Sequence, residues 1–78
     1  MHTNKEQPKP FTDIIAWIKF EDIGPVAQIG YGVNHEKHGF IFLPKLSRFA
    51  VPWEQIMKWD YMADVAPEYT LFEKEKSK

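Results

Sequence analysis

A chain of 78 residues with 10 basic and 11 acidic side chains, a net charge of -1 and no cysteine makes one small domain and excludes disulfide staples, thiolate metal sites and thiol catalysis. The near-neutral balance offers no global attraction to nucleic-acid phosphate or to an anionic membrane. A domain this small buries only about 60–65 % of the surface its unfolded chain exposes, so its stability must draw on the aromatic residues, 15 % of the chain with three tryptophans, or on self-association.

Residues 1–10, "MHTNKEQPKP", are polar with two prolines and read as a disordered or extended lead-in. The domain proper is expected over residues 11–73, with residues 74–78 a charged tail. No run is long or apolar enough to span a bilayer, the N-terminal stretch lacks the apolar core of a secretory signal, and the absence of cysteine fits a reducing compartment. The expectation is a soluble cytosolic protein.

In "DIIAWIKFEDIGP" the residues Ile14, Ala16, Ile18 and Phe20 alternate as in a strand, whereas Thr12 could cap a helix carrying Ile14, Ile15 and Ile18. The β-branched and aromatic content favours strand, with Gly24 and Pro25 as a stop. "VAQIGYGV" reads as a second strand with Gly30 and Gly32 on one face, leaving room for a bend or for close approach of another element. "NHEKHG" is a hairpin connection and "FIFL" a third strand ended by Pro44.

"RFAVPWEQIMKWDYMADV", residues 48–65, fits neither one helix nor one strand. "RFAV" reads as a short strand, and Pro52, with its fixed φ and no amide proton, suits the start of a helical turn. A helix continued to Val65 would set Asp60 and Asp64 inside the stripe of Trp53, Ile56 and Met57, where unpaired carboxylates are costly. Helix is therefore expected to stop by about Lys58. From Trp59 the pattern has period two: Trp59, Tyr61, Ala63 and Val65 on one face, Asp60, Met62 and Asp64 on the other. "EYTLF" would add a final edge strand.

About five short strands, joined by hairpins and interrupted by one helical turn near residues 52–57, describe a mainly all-β protein, a small antiparallel barrel of the SH3-like or Sm-like kind. "FAVPWEQIMKWDYM", followed by "EYTLFEKE", resembles the end of the small-barrel domain of stringent starvation protein B type adaptors. The resemblance covers residues 48–73. It implies a non-catalytic barrel that grips a peptide.

Catalytic and cofactor motifs are lacking. His35 and His38 in "HEKH" are not spaced as zincin ligands and read as a solvated turn. "IGYGV" lacks the third glycine of a dinucleotide site. Neither Ser47 nor Ser77 lies in a nucleophile elbow. Asp60 and Asp64, about 13 Å apart on one strand at ~3.3 Å per residue, are too distant to act as a carboxylate pair on one bond. No cofactor and no metal are expected. The reading that remains is a non-catalytic protein-binding module, an adaptor, inhibitor or immunity-type partner, contacting another protein or a second copy of itself. Its expected contacts are Trp53, Trp59, Asp60, Tyr61, Met62 and Asp64, with the carboxylates as an acidic rim around an exposed Met62, or an unpaired sheet edge. The alternative is a nucleic-acid-binding barrel using Lys37, Lys45 and Arg48 interleaved with Phe40, Phe42 and Phe49.

Overall fold

A computed structural model describes residues 1–68. Within it the alternation in the first apolar run resolves as a strand, β2 (Ile14–Phe20), with Ile14, Ala16 and Ile18 fully buried. A turn at residues 21–23 leads to β3 (Gly24–His35), twelve residues long, and a second turn at 36–38 leads to β4 (Gly39–Pro44). Pro25 thus lies inside a strand and does not end one. The expected fourth strand shrinks to β5 (Val51–Pro52), and residues 45–50 form an exposed loop.

After Pro52 one turn of 3-10 helix, Trp53–Gln55, enters β6 (Ile56–Tyr61). A continuous helix from Pro52 to Val65 does not form. Inside β6 the register against β2 slips by one residue, Trp17 facing Lys58 and Ile18 facing Ile56. The extra residue, Met57, bulges outward, which turns both Ile56 and Trp59 inward although they are three apart.

Period two does not continue to Val65. The strand ends at Tyr61 and a short helix, α1 (Met62–Val65), follows. Met62 donates its N–H to the Asp13 carbonyl (3.1 Å) and its side chain is buried, whereas Ala63, Asp64 and Val65 are exposed. Turning helical at this point lets Met62 close the open end of the core, which an extended chain would have carried past. The proposed strand "EYTLF" falls almost entirely outside the described residues.

The first ten residues are not a lead-in. His2–Thr3 form β1, paired antiparallel with β6 so that His2 faces Trp59 and Thr3 faces Lys58. The Trp59 Nε1 donates to the carbonyls of Thr3 and Glu6 (both 3.0 Å) and the Trp53 Nε1 to the carbonyl of Asn4 (2.8 Å). The His2 ring stacks on Trp59 with centroids 4.3 Å apart, and Pro8 is buried. Polar side chains misled the sequence reading, because this segment binds chiefly through its backbone.

The strands make one antiparallel sheet in the order β1-β6-β2-β3-β4-β5, with no ladder closing β5 onto β6 or β1 among the described residues. Its inner face holds the core: Ile14, Ala16 and Ile18, Phe40 and Phe42, Trp53, Ile56 and Trp59. Ala16 faces Trp59 across the β2–β6 ladder, a small residue beside a large ring. Among the described residues no helix is long and apolar enough to cross a membrane.

β3 changes partner midway: Gly30 faces Ile14 of β2 on one side and Pro44 of β4 on the other. A side chain at Gly30 would overlap the Leu43 carbonyl and the Pro44 backbone, and one at Gly32 would overlap the Phe40 ring. Gly30→Ala is expected to cost about 2–3 kcal/mol, the upper part of the overpacking range, because a β4 backbone atom must move. Gly32→Ala should cost less, since the Phe40 ring can rotate aside. Urea denaturation with an unchanged slope checks both. Trp59→Phe should lower stability by about 2–4 kcal/mol through the lost indole bonds and the space left behind, and should speed amide hydrogen exchange across the β1–β6 ladder.

Candidate functional site

Of the six residues expected to contact a partner, three are interior. Trp53, Trp59 and Met62 are 8 %, 2 % and 6 % exposed. The Phe40 and Trp59 rings flank Trp53, the former edge-on at 5.0 Å, and Tyr61 meets Trp59 edge-on at 5.0 Å. These rings build the core and the seat of the N-terminal segment, so a docking face made of exposed Trp53, Trp59 and Met62 is not what the fold presents. Tyr61 is half-buried, and its hydroxyl accepts the Lys9 N–H at 2.9 Å.

The acidic rim fails with Met62. Asp60 sits half-buried on the outer face of β6, opposite Ile15, and its Oδ1 accepts the N–H of Tyr61 (3.0 Å). Asp64 is exposed in the first turn of α1. The two carboxylates belong to different elements, and the methionine between them points inward.

The basic residues of the alternative reading are not brought together. Lys37 is at the tip of the β3–β4 hairpin and Lys45 just past the opposite end of β4, about 26 Å along the chain at ~3.3 Å per residue. Lys45 pairs with Asp13 at 2.8 Å, tying the loop after β4 to the start of β2. Arg48 and Phe49 are exposed in that loop, whereas Phe40 and Phe42 are core residues. His35 and His38 stack at the hairpin tip with centroids 4.7 Å apart, and among the described residues no three metal-ligating side chains converge.

A different surface is better built. On the outer face, register aligns Asp60, Ile15 and Ile29 in one row across β6, β2 and β3, and Lys58, Trp17 and Ala27 in the next. Ile15, Trp17 and Ile29 are only half-buried, and Lys58 Nζ lies 5.0 Å from the centroid of the Trp17 ring. Beside these rows lies a groove of about 650 Å³ lined mainly by Ile15, Val26, Ala27, Ile29 and Leu46, with Gln28, Lys45 and Ser47 as its polar wall. Leu46 is 98 % exposed.

The main chain along this groove is also unmatched. Lys45 donates its N–H to the Ile29 carbonyl at 2.9 Å, which fixes the phase: Ile29, Ala27 and Pro25 direct their main-chain groups away from β2. β4 ends at Pro44, opposite Gly30. The Ala27 N–H and C=O and the Pro25 C=O therefore face no strand among the described residues, and both residues are exposed. Proline fits at an edge because its missing N–H is on the side where no ladder bond is made.

The sequence named an unpaired sheet edge as a candidate contact but not these residues, although Pro25 within an apolar run was the signal of that edge. No family model, curated protein or solved structure matches the chain.

Proposed function

We propose that the protein is a small non-catalytic protein-binding module that takes an extended segment of another protein along the first half of β3. The observation that carries this reading is the coincidence of main-chain groups at Pro25 and Ala27 that face no strand among the described residues with a mainly apolar groove between Ile15, Ile29 and Leu46. In strand addition the main-chain bonds supply affinity, and alternate side chains of the guest, all on one face, supply specificity. The guest that fits here is extended, free to donate to the Ala27 carbonyl and accept from its N–H, with an apolar residue at every second position. An adaptor, inhibitor or immunity-type role would use such a surface, and so would the peptide-gripping barrel that residues 48–73 resemble.

The SH3-like or Sm-like form belongs to the same reading. β6 and β5 stand at opposite ends of the run β6-β2-β3-β4-β5, which in a flat sheet separates them by about 19 Å at ~4.8 Å per strand. Only Trp53–Gln55 joins them, and a 3-10 turn of that length advances about 6 Å. Strong curling toward a barrel reconciles the two lengths.

Linear peptides selected on the protein from a random display library supply the probe. On binding they should perturb the amide resonances of Ala27 and Ile29. Leu46→Asp, and separately Ala27→Pro, which removes the edge donor without touching the β2 ladder, should each weaken binding at least about tenfold, or ~1.4 kcal/mol, as read by fluorescence anisotropy. Selected peptides whose affinity ignores both changes would show that the guest sits elsewhere.

A further inference from the structure

Residues 2–9 lie on the rest of the molecule as a separate segment would, a two-residue strand followed by a turn at residues 4–6. His2 and Thr3 add to the edge of β6. The carbonyls of Thr3, Asn4 and Glu6 accept from the indoles of Trp59 and Trp53, and the Lys9 N–H donates to the Tyr61 hydroxyl. Beyond the stacked His2, the buried Pro8 and the Asn4 side-chain amide, which donates to the Glu54 carbonyl, the receiving face reads backbone.

What returns this segment to its own chain is the bend at residues 9–12. Pro10 fixes its own φ and holds Lys9 extended, so the reversal falls on Phe11. That residue has φ +63°, a left-handed conformation that a Cβ disfavours. Its ring is 75 % exposed, and the bend is held by the Phe11 N–H on the Gly32 carbonyl (3.0 Å) and the Thr12 N–H on the Lys9 carbonyl (3.3 Å). A short strained hinge carrying a segment whose contacts are all transferable is the setting in which identical chains exchange elements.

We propose that the groove formed by the β6 edge, Trp53, Trp59 and Tyr61 is an interface between copies of this chain. Residues 2–9 of one copy occupy it on the second and the reverse, a two-fold pair in which Phe11 relaxes to an extended conformation. The contacts of residues 2–9 with β6, Trp53, Trp59 and Tyr61 are re-formed between the copies, the Thr12–Lys9 bond of the bend is given up, and the hinge strain is released.

Two full-length preparations, one carrying Thr3→Cys and the other Lys58→Cys, are mixed, refolded together at high concentration and oxidised. Thr3 and Lys58 face each other across the β1–β6 ladder, so a disulfide between the two preparations forms efficiently only when one chain's first strand lies on the other. Its yield should exceed that of Thr3→Cys mixed with Glu21→Cys, an exposed turn position, by about tenfold or more, as expected when two thiols are held together and do not meet by diffusion. The unmodified chain, refolded at the same concentration, should sediment with a dimer fraction that falls several-fold in Phe11→Gly, because glycine accepts the positive φ without strain. Equal disulfide yields in the two mixtures overturn the proposal. So does a dimer fraction that Phe11→Gly leaves unchanged, or an unmodified chain that is monomeric throughout.

Discussion

The indole nitrogens of Trp53 and Trp59 lie inside the domain, and each requires a carbonyl oxygen that the neighbouring ladders have already committed to one another. A buried donor left without a partner costs about 1–3 kcal/mol, a large part of the roughly 5–15 kcal/mol that holds a domain together. Residues 3, 4 and 6 supply the oxygens, and this requirement organises one whole side of the molecule. It fixes where the first residues run, it gives β6 a second partner strand, and it sets His2 flat against Trp59. With no disulfide available, the N-terminal segment does for this small core what a covalent staple does elsewhere: it ties the first residues of the chain to residues 49 to 56 positions away.

A second constraint acts through β3. Its first half pairs with β2 and its second half adds β4, the change falling at Gly30, where the β4 backbone comes so close that no side chain fits. Phe40 lies over Gly32, and β4 ends at Pro44 opposite Gly30, leaving Pro25 and Ala27 without a second neighbour among the described residues. Pro25 narrows what the edge can accept, since it offers a carbonyl and no amide. That limits indiscriminate sheet-to-sheet pairing while keeping one donor and two acceptors for a guest.

Much of this architecture was legible because it rests on periodicity. Alternation in Ile14, Ala16 and Ile18 gave β2, and the cost of placing Asp60 and Asp64 in an apolar stripe correctly excluded a long helix after Pro52. The two glycines of "GYG" marked a close approach that the fold makes. What stayed hidden rests on backbone groups or on irregularity. The bulge at Met57 turns a spacing of three into a shared face, and no side-chain property announces it. Met62 was assigned outward because period two was carried one residue too far. Residues 1–10 looked dispensable because their contribution is made by carbonyl oxygens, which every residue has. Pro25 was the one case where a side chain did carry the signal, and it was taken as punctuation instead of as an edge marker.

The two contact surfaces proposed for this chain would work by the same chemistry, main-chain hydrogen bonds flanked by apolar or aromatic side chains, and they would not compete. β1 lies three strand positions from β3 in the sheet, about 14 Å at ~4.8 Å per step, and the open side of β3 faces away from it. A pair of chains exchanging residues 2–9 would therefore carry two copies of the β3 edge that no described strand covers. A partner offering two extended segments would gain avidity of about 10²- to 10⁴-fold over one segment, provided it can span them. Recognition of this kind involves few net charges on either side, consistent with the nearly neutral chain. Binding of that kind would be far less sensitive to ionic strength than binding by a phosphate-neutralising surface.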